Sequence, residues 1–174
     1  MNEVEKNIAN RRSIRKYRED EIPDEYIMKL LKAAMQAPGS RMGAEPWEFL
    51  VIKDKETILK LSEVSPNTKL LEGASLAIVL LANLEKAHYK LLWQQDMSAA
   101  ATTLLLEASN LGLGAVWLGI APREERMEKI REIFNLPEEI KPFNIISIGY
   151  PEEGLENKFV DKFDENRVHF EKYY

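Results

Sequence analysis

The sequence predicts an α+β fold. Segments with apolar residues three and four apart alternate with about four short apolar runs of strand length, and Gly- and Pro-rich stretches separate them. Pattern alone leaves strand order and parallelism open. The opening segment through Asn10 reads as a short helix, after which RRSIRKY changes the local charge sharply. Pro23 and Asp24 introduce a helix whose Ile27, Leu30, Leu31 and Ala34 form one buried stripe. APGSRMGAEPW, with two prolines and two glycines, is a shaped loop. WEFLVI follows as a strand, Glu56 to Leu61 as a brief helix, and Ser75 to Ala82 as a second apolar strand. Such strands need helices or another chain over both faces. Gln94 to Leu111 reads as a long, mostly apolar helix, central to the fold, with Ala99 to Ala101 allowing close approach. GLG at 112–114 ends it, and AVWLG is a strand or buried turn. PREERMEKIREIFNL is an amphipathic helix carrying Met127, Ile130 and Phe134, and NIISIGY is a further strand. The stretch from Pro151 is polar yet carries Phe159, Phe163 and terminal aromatics, so it is expected to wrap another surface, such as that of a second copy.

At 174 residues, 45% hydrophobic and 30% charged, the chain has material for one substantial core. The absence of cysteine excludes disulfides, thiolate metal sites and a cysteine nucleophile. A net charge of −5 argues against generic double-stranded DNA as a partner. The amino end lacks a secretory pattern and the apolar stretch at Ala74 to Ala82 is too short for a membrane span, so a cytoplasmic, membrane-free location is expected.

Against that acidic background, Lys6, Arg11, Arg12, Arg15, Lys16 and Arg18 oppose only Glu3 and Glu5 before Glu19. Guanidinium forks suit phosphate, and Ser13 adds a hydroxyl and a main-chain donor; taken alone, RRSxR fits a solvated or salt-bridged cluster somewhat better than an anion site. The sequence holds no Walker loop and no GxGxxG fingerprint. His88 and His169 form no metal motif, Asp96 fits a cap or a buried hydrogen bond better than proton transfer, and Trp47, Trp93 and Trp117 suit core or interface positions.

The order and spacing of several segments together resemble the FMN-dependent nitroreductase family. They are RRSIRKY at 11–17, AMQAPGSRMGAEPWEFLVI at 34–52, GASLAIVLLA at 73–82, WQQDMSAAATTLLLEASNLGLGAVWLG at 93–119, and ISIGYP followed by NRVHFEKYY. The resemblance covers nearly the whole chain. It implies a nitroreductase-like α+β fold with a central, mostly antiparallel sheet flanked by helices, in an intertwined homodimer. Residues 1–174 would form one domain, with 151–174 an extension packing on the partner. By the same resemblance Arg11, Arg12 and Arg15, with Ser13, hold the FMN phosphate and ribityl tail, and Arg167 contacts the same phosphate. Pro38, Gly39 and Ser40 pass beside the cofactor, while Trp117, Leu118 and Gly119 face the flavin ring, amides near Leu118 and Gly119 meeting N5 and the adjacent carbonyl. Flavin N5 carries the chemistry, so no catalytic side chain and no metal is implied. The implied reaction is ping-pong: NAD(P)H passes hydride to FMN and leaves, then a nitroaromatic, quinone or other small planar electron acceptor enters. A flavin-binding or storage protein and a non-catalytic structural dimer are the alternatives. The loop departs from the family pattern APSxxNxQPW, with Met42, Gly43 and Glu45 around its Asn and Gln positions, so amide contacts to the flavin do not carry over there, and Glu45 adds a negative charge.

Overall fold

The computed structural model describes residues 1–40 and 45–173. Met42 and Gly43, singled out above, lie outside the described residues. Five α-helices and four strands alternate in the order α1 (Glu3–Asn10), α2 (Asp24–Met35), β1 (Trp47–Ile52), α3 (Lys55–Ser62), β2 (Leu76–Asn83), α4 (Trp93–Asn110), β3 (Gly114–Gly119), α5 (Glu124–Phe134) and β4 (Ile140–Gly149) among the described residues. Local chemistry sets several boundaries. The Asn2 carboxamide accepts from the Glu5 N–H at 2.9 Å, while the Glu5 carboxylate accepts from the Asn2 N–H at 2.7 Å, a reciprocal cap on α1. Asp54 caps α3 through the Thr57 N–H and hydroxyl, and those hydrogen bonds hold its carboxyl below the ordinary range. Asn135, at φ 47°, closes α5 in the left-handed conformation that Asn tolerates.

The strands form one antiparallel sheet in the order β1-β2-β4-β3. In β2, Leu76, Ile78, Leu80 and Ala82 face the layer that includes α2 and α4, while Ala77, Val79 and Leu81 face the layer that includes α3 and α5. Both faces of β2 are therefore covered, and its sequence reads as a continuous apolar run. Strand β4 begins four residues before the NIISIGY run because Ile140–Pro142 pair with the end of β2 beyond an irregularity at Leu80/Leu81 that leaves Phe143 without a partner on β2. A short 3₁₀ helix at Pro66–Gly73, absent from the sequence reading, connects α3 to β2.

β3 lies at the sheet edge, and the segment after α1 crosses it. The Ile14 N–H donates to the Ala115 carbonyl at 3.1 Å, and the Arg18 N–H to the Tyr150 carbonyl at 2.9 Å. The crossing needs glycine beneath it. A Cβ at Gly114 would stand 2.7 Å from Ile14 Cγ2, and one at Gly149 would stand 2.6 Å from Tyr17 Cβ and Cγ. Gly114 and Gly149 are opposite partners on β3 and β4, so the two requirements define one trough. The tail from Leu155 is fastened near its start by Asn157, which accepts from the Arg12 N–H at 2.9 Å and donates to the Leu113 carbonyl at 3.0 Å. Beyond that anchor Phe159, Val160, Phe163, Val168, Phe170 and Tyr173 are exposed. No helix of the described residues is long and apolar enough to cross a membrane.

Candidate functional site

The candidate site starts from the unpaired edge of β3. In an antiparallel ladder the main-chain groups of successive residues point alternately toward and away from the neighbouring strand. The Ala115 carbonyl points outward to Ile14, so the main-chain groups of Trp117 and Gly119 point outward too, while those of Leu118 turn toward Ile145 of β4. The expected Leu118 amide is thus turned into the sheet, and Trp117 and Gly119 carry the outward N–H groups. The crossing segment stops short of them. Tyr17 donates its hydroxyl to the Ile14 carbonyl at 2.7 Å, which engages the acceptor that a continued pairing with β3 would use. Burial pushes the Tyr17 phenol up to about 12, with the hydrogen bond to Ser147 and the charge of Arg15 pulling the other way. The clamp is therefore a neutral donor at ordinary pH.

The amino-terminal cations sit where that crossing segment meets the edge. Ser13 bridges Ala115, which places Arg11, Arg12 and Arg15 within two residues of the contact. Their side chains differ in use. Arg12 donates to the carbonyls of Ala9, Asn10 and Lys158, tying α1 to the tail. Arg15 is exposed and donates to the Ser13 carbonyl at 3.2 Å. Arg11 is half-buried, and its guanidinium makes no hydrogen bond or ion pair among the described residues; burial and the nearby Arg12 charge both pull its pKa down. A half-buried guanidinium with no acceptor, beside a second one, favours an incoming anion. Arg167 lies in the tail, its side chain 85% exposed and paired with Asp164 at 3.2 Å. No hydrogen bond joins it to Arg11, Arg12 or Arg15 among the described residues.

In the loop after α2, Pro38 and Gly39 are exposed, and the Ser40 hydroxyl donates to the Asp96 carboxylate at 3.0 Å. Asp96, in the first turn of α4 and 4% exposed, therefore takes the buried-hydrogen-bond role. Glu45 is exposed at the other end of the loop. Trp117 is half-buried with its ring edge-on to Phe143 at 5.2 Å, and Trp93 meets the same Phe143 at 5.9 Å.

Two contributors were not visible in the sequence. Arg126 of α5 donates from Nη1 to the Gly119 carbonyl at 2.8 Å, although within EERMEKIREIF it reads as one more basic residue of an amphipathic helix. Asn157 reads as an ordinary polar tail residue, yet it joins the amino-terminal segment to the start of β3.

The arrangement offers outward N–H donors at Trp117 and Gly119, space at Gly119 where an added Cβ would meet nothing within 4 Å, and cations on the adjoining segment. That donor set fits FMN, which carries acceptor atoms at N5 and O4 of its ring and a phosphate dianion on its tail.

Comparison with known proteins agrees. The nitroreductase family model matches residues 8–94 and 66–150. A protein of Archaeoglobus fulgidus provisionally named NADH dehydrogenase/NAD(P)H nitroreductase is 45% identical over 99% of this chain and 100% of its own. A crystal structure from Clostridium acetobutylicum, provisionally named an NADH oxidase, is 54% identical with a TM-score of 0.93, covering 96% of this chain and 99% of its own. A crystal structure from Desulfovibrio desulfuricans, of a provisionally named nitroreductase in complex with FMN, is 26% identical with a TM-score of 0.84, covering 100% of this chain and 99% of its own. The fold, the edge that fits a flavin and these relationships converge: the chain belongs to the nitroreductase family of NAD(P)H-dependent flavoenzymes.

Proposed function

We propose that the chain binds FMN along the open edge of β3 and passes electrons from NAD(P)H to a nitroaromatic, quinone or similar flat acceptor. The observation that carries this reading is continuity: Ser13 bridges Ala115, so the arginine segment and the outward groups of Trp117 and Gly119 share one sheet edge. Arg11 and Arg15 hold the phosphate, and Ser13 supports the loop. Arg12 fixes that loop to α1 through the Ala9 and Asn10 carbonyls and to the tail through the Lys158 carbonyl, and Arg167 approaches the phosphate when the tail is seated. The Gly119 N–H orients the ring, and Pro38, Gly39 and Ser40 border it. Bound FMN supplies the hydride acceptor at N5. NAD(P)H and the second substrate use the same face in turn, so the order is ping-pong and no side chain forms a covalent bond. The apolar tail packs on a second copy, completing two sites per homodimer; its exposed Phe159, Phe163 and Phe170 favour that partner.

Titration with FMN followed by anaerobic addition of NADH or NADPH tests the reading. Stoichiometric binding and bleaching of the flavin absorbance, reversed by a quinone, are expected. Binding without bleaching points instead to a flavin-storage protein, and no binding to a structural dimer.

A further inference from the structure

We infer that Arg126 is a positioning residue: it occupies the Gly119 carbonyl, so that the edge offers oxidised flavin a donor, and its positive charge, without an ion-pair partner among the described residues and one peptide group from the ring, biases the site toward reduced flavin. This rests on the reading that FMN lies along Trp117–Gly119.

Arg126 occupies the first turn of α5, reached from β3 through a tight turn in which the Arg123 N–H donates to the Ile120 carbonyl at 3.1 Å. Its Nη1 meets the outward Gly119 carbonyl at 2.8 Å. With that acceptor engaged, Gly119 presents only its N–H along the edge. In oxidised flavin N5 and O4 are acceptors, and a bare carbonyl beside them would repel them, so engaging it sharpens the edge into a donor surface for the oxidised ring; the bias toward the reduced ring comes from the charge.

The charge is as informative as the hydrogen bond. Arg126 makes no ion pair among the described residues, and its Nε is enclosed without a hydrogen-bond partner. Arg131 on the same helix differs: it pairs with Glu128 at 3.4 Å and donates to the carbonyls of Pro137, Glu138 and Ile140. One arginine is saturated as a structural clasp, while the other, half-buried beside the proposed ring, has no carboxylate paired with it among the described residues. Charge in such a position is screened less than at the surface. Taking up two electrons and one proton adds one net negative charge to FMN, which an unpaired guanidinium favours.

The test compares the parent with Arg126→Gln, which keeps a donor for the Gly119 carbonyl but removes the charge. Affinity for oxidised FMN comes from titration, and a redox titration of the holoprotein gives the affinity for the reduced form. Arg126→Gln is expected to bind oxidised FMN within about threefold of the parent but reduced FMN roughly tenfold more weakly, a midpoint potential about 30 mV lower for a two-electron couple. Arg126→Lys, which keeps charge without the planar fork, is expected to retain the parental ratio of the two affinities. It also serves if the glutamine variant does not fold. A parental ratio in Arg126→Gln, or a ratio that falls in Arg126→Lys as far as removal of the charge would take it, overturns the inference while leaving the flavin assignment intact. A parent protein that binds no FMN overturns both.

Discussion

Phe143 and Phe163 are the same side chain in opposite settings. Phe143, in β4, is 5% exposed and enclosed edge-on by Trp93 and Trp117, whereas Phe163, in the tail, is 78% exposed. The contrast extends to their regions. The body buries Leu30, Leu104, Ile146 and their neighbours against its own sheet and helices, while the tail from Phe159 onward carries its apolar side chains uncovered. Burying one such side chain stabilises a fold by about 1.5–3 kcal/mol, so the body has its stabilisation within one chain and the tail's must come from elsewhere. Composition alone does not separate a core aromatic from an interface aromatic; the number of elements within reach does.

The comparison can be broken first at its strong side. Leu104 is fully buried in the α2–α4 layer, and Leu104→Ala is expected to lower unfolding stability by about 2–5 kcal/mol, read by denaturant titration. A loss below about 1 kcal/mol would mean that the body is looser than its burial indicates. Removing residues 159–174 tests the weak side while sparing the Asn157 anchor and the Lys158 carbonyl. Helical content should hold, whereas sedimentation across a concentration series should shift toward monomer and FMN affinity should fall about 100-fold, equivalent to about 2.7 kcal/mol. Unchanged sedimentation and FMN affinity would make the tail an ornament of the monomer.

Arg15→Ala sharpens the comparison with the smallest effect. Its side chain is exposed and its one hydrogen bond among the described residues goes to the Ser13 carbonyl, so stability should hold while FMN affinity drops about tenfold, or about 1.4 kcal/mol. Arg15→Lys should recover part of that loss, because charge returns without the fork. Equal FMN affinity in a folded Arg15→Ala protein would remove this arginine from the phosphate site.

Most of the elements were legible in the sequence because helix and strand periods are written in nearby residues. WEFLVI became β1 over the same six residues, and the apolar run around Ala99–Ala101 became the central helix α4. The arginine cluster was legible as a charge anomaly, and WLG only through family resemblance. The sequence therefore determined the fold class, the core stripes and the cationic character of the amino-terminal segment. Only the tertiary structure decided that β3 is an edge, that Ser13 and Ile14 cover it at Ala115, that Tyr17 stops the coverage short of Trp117, and that Arg126 engages the Gly119 carbonyl. The coverage of β3, on which the other outcomes depend, is set only when segments about a hundred residues apart have met and left some main-chain groups unpaired. The identities of nearby residues fix where a strand forms, but not which of its hydrogen-bonding groups the rest of the chain will leave open.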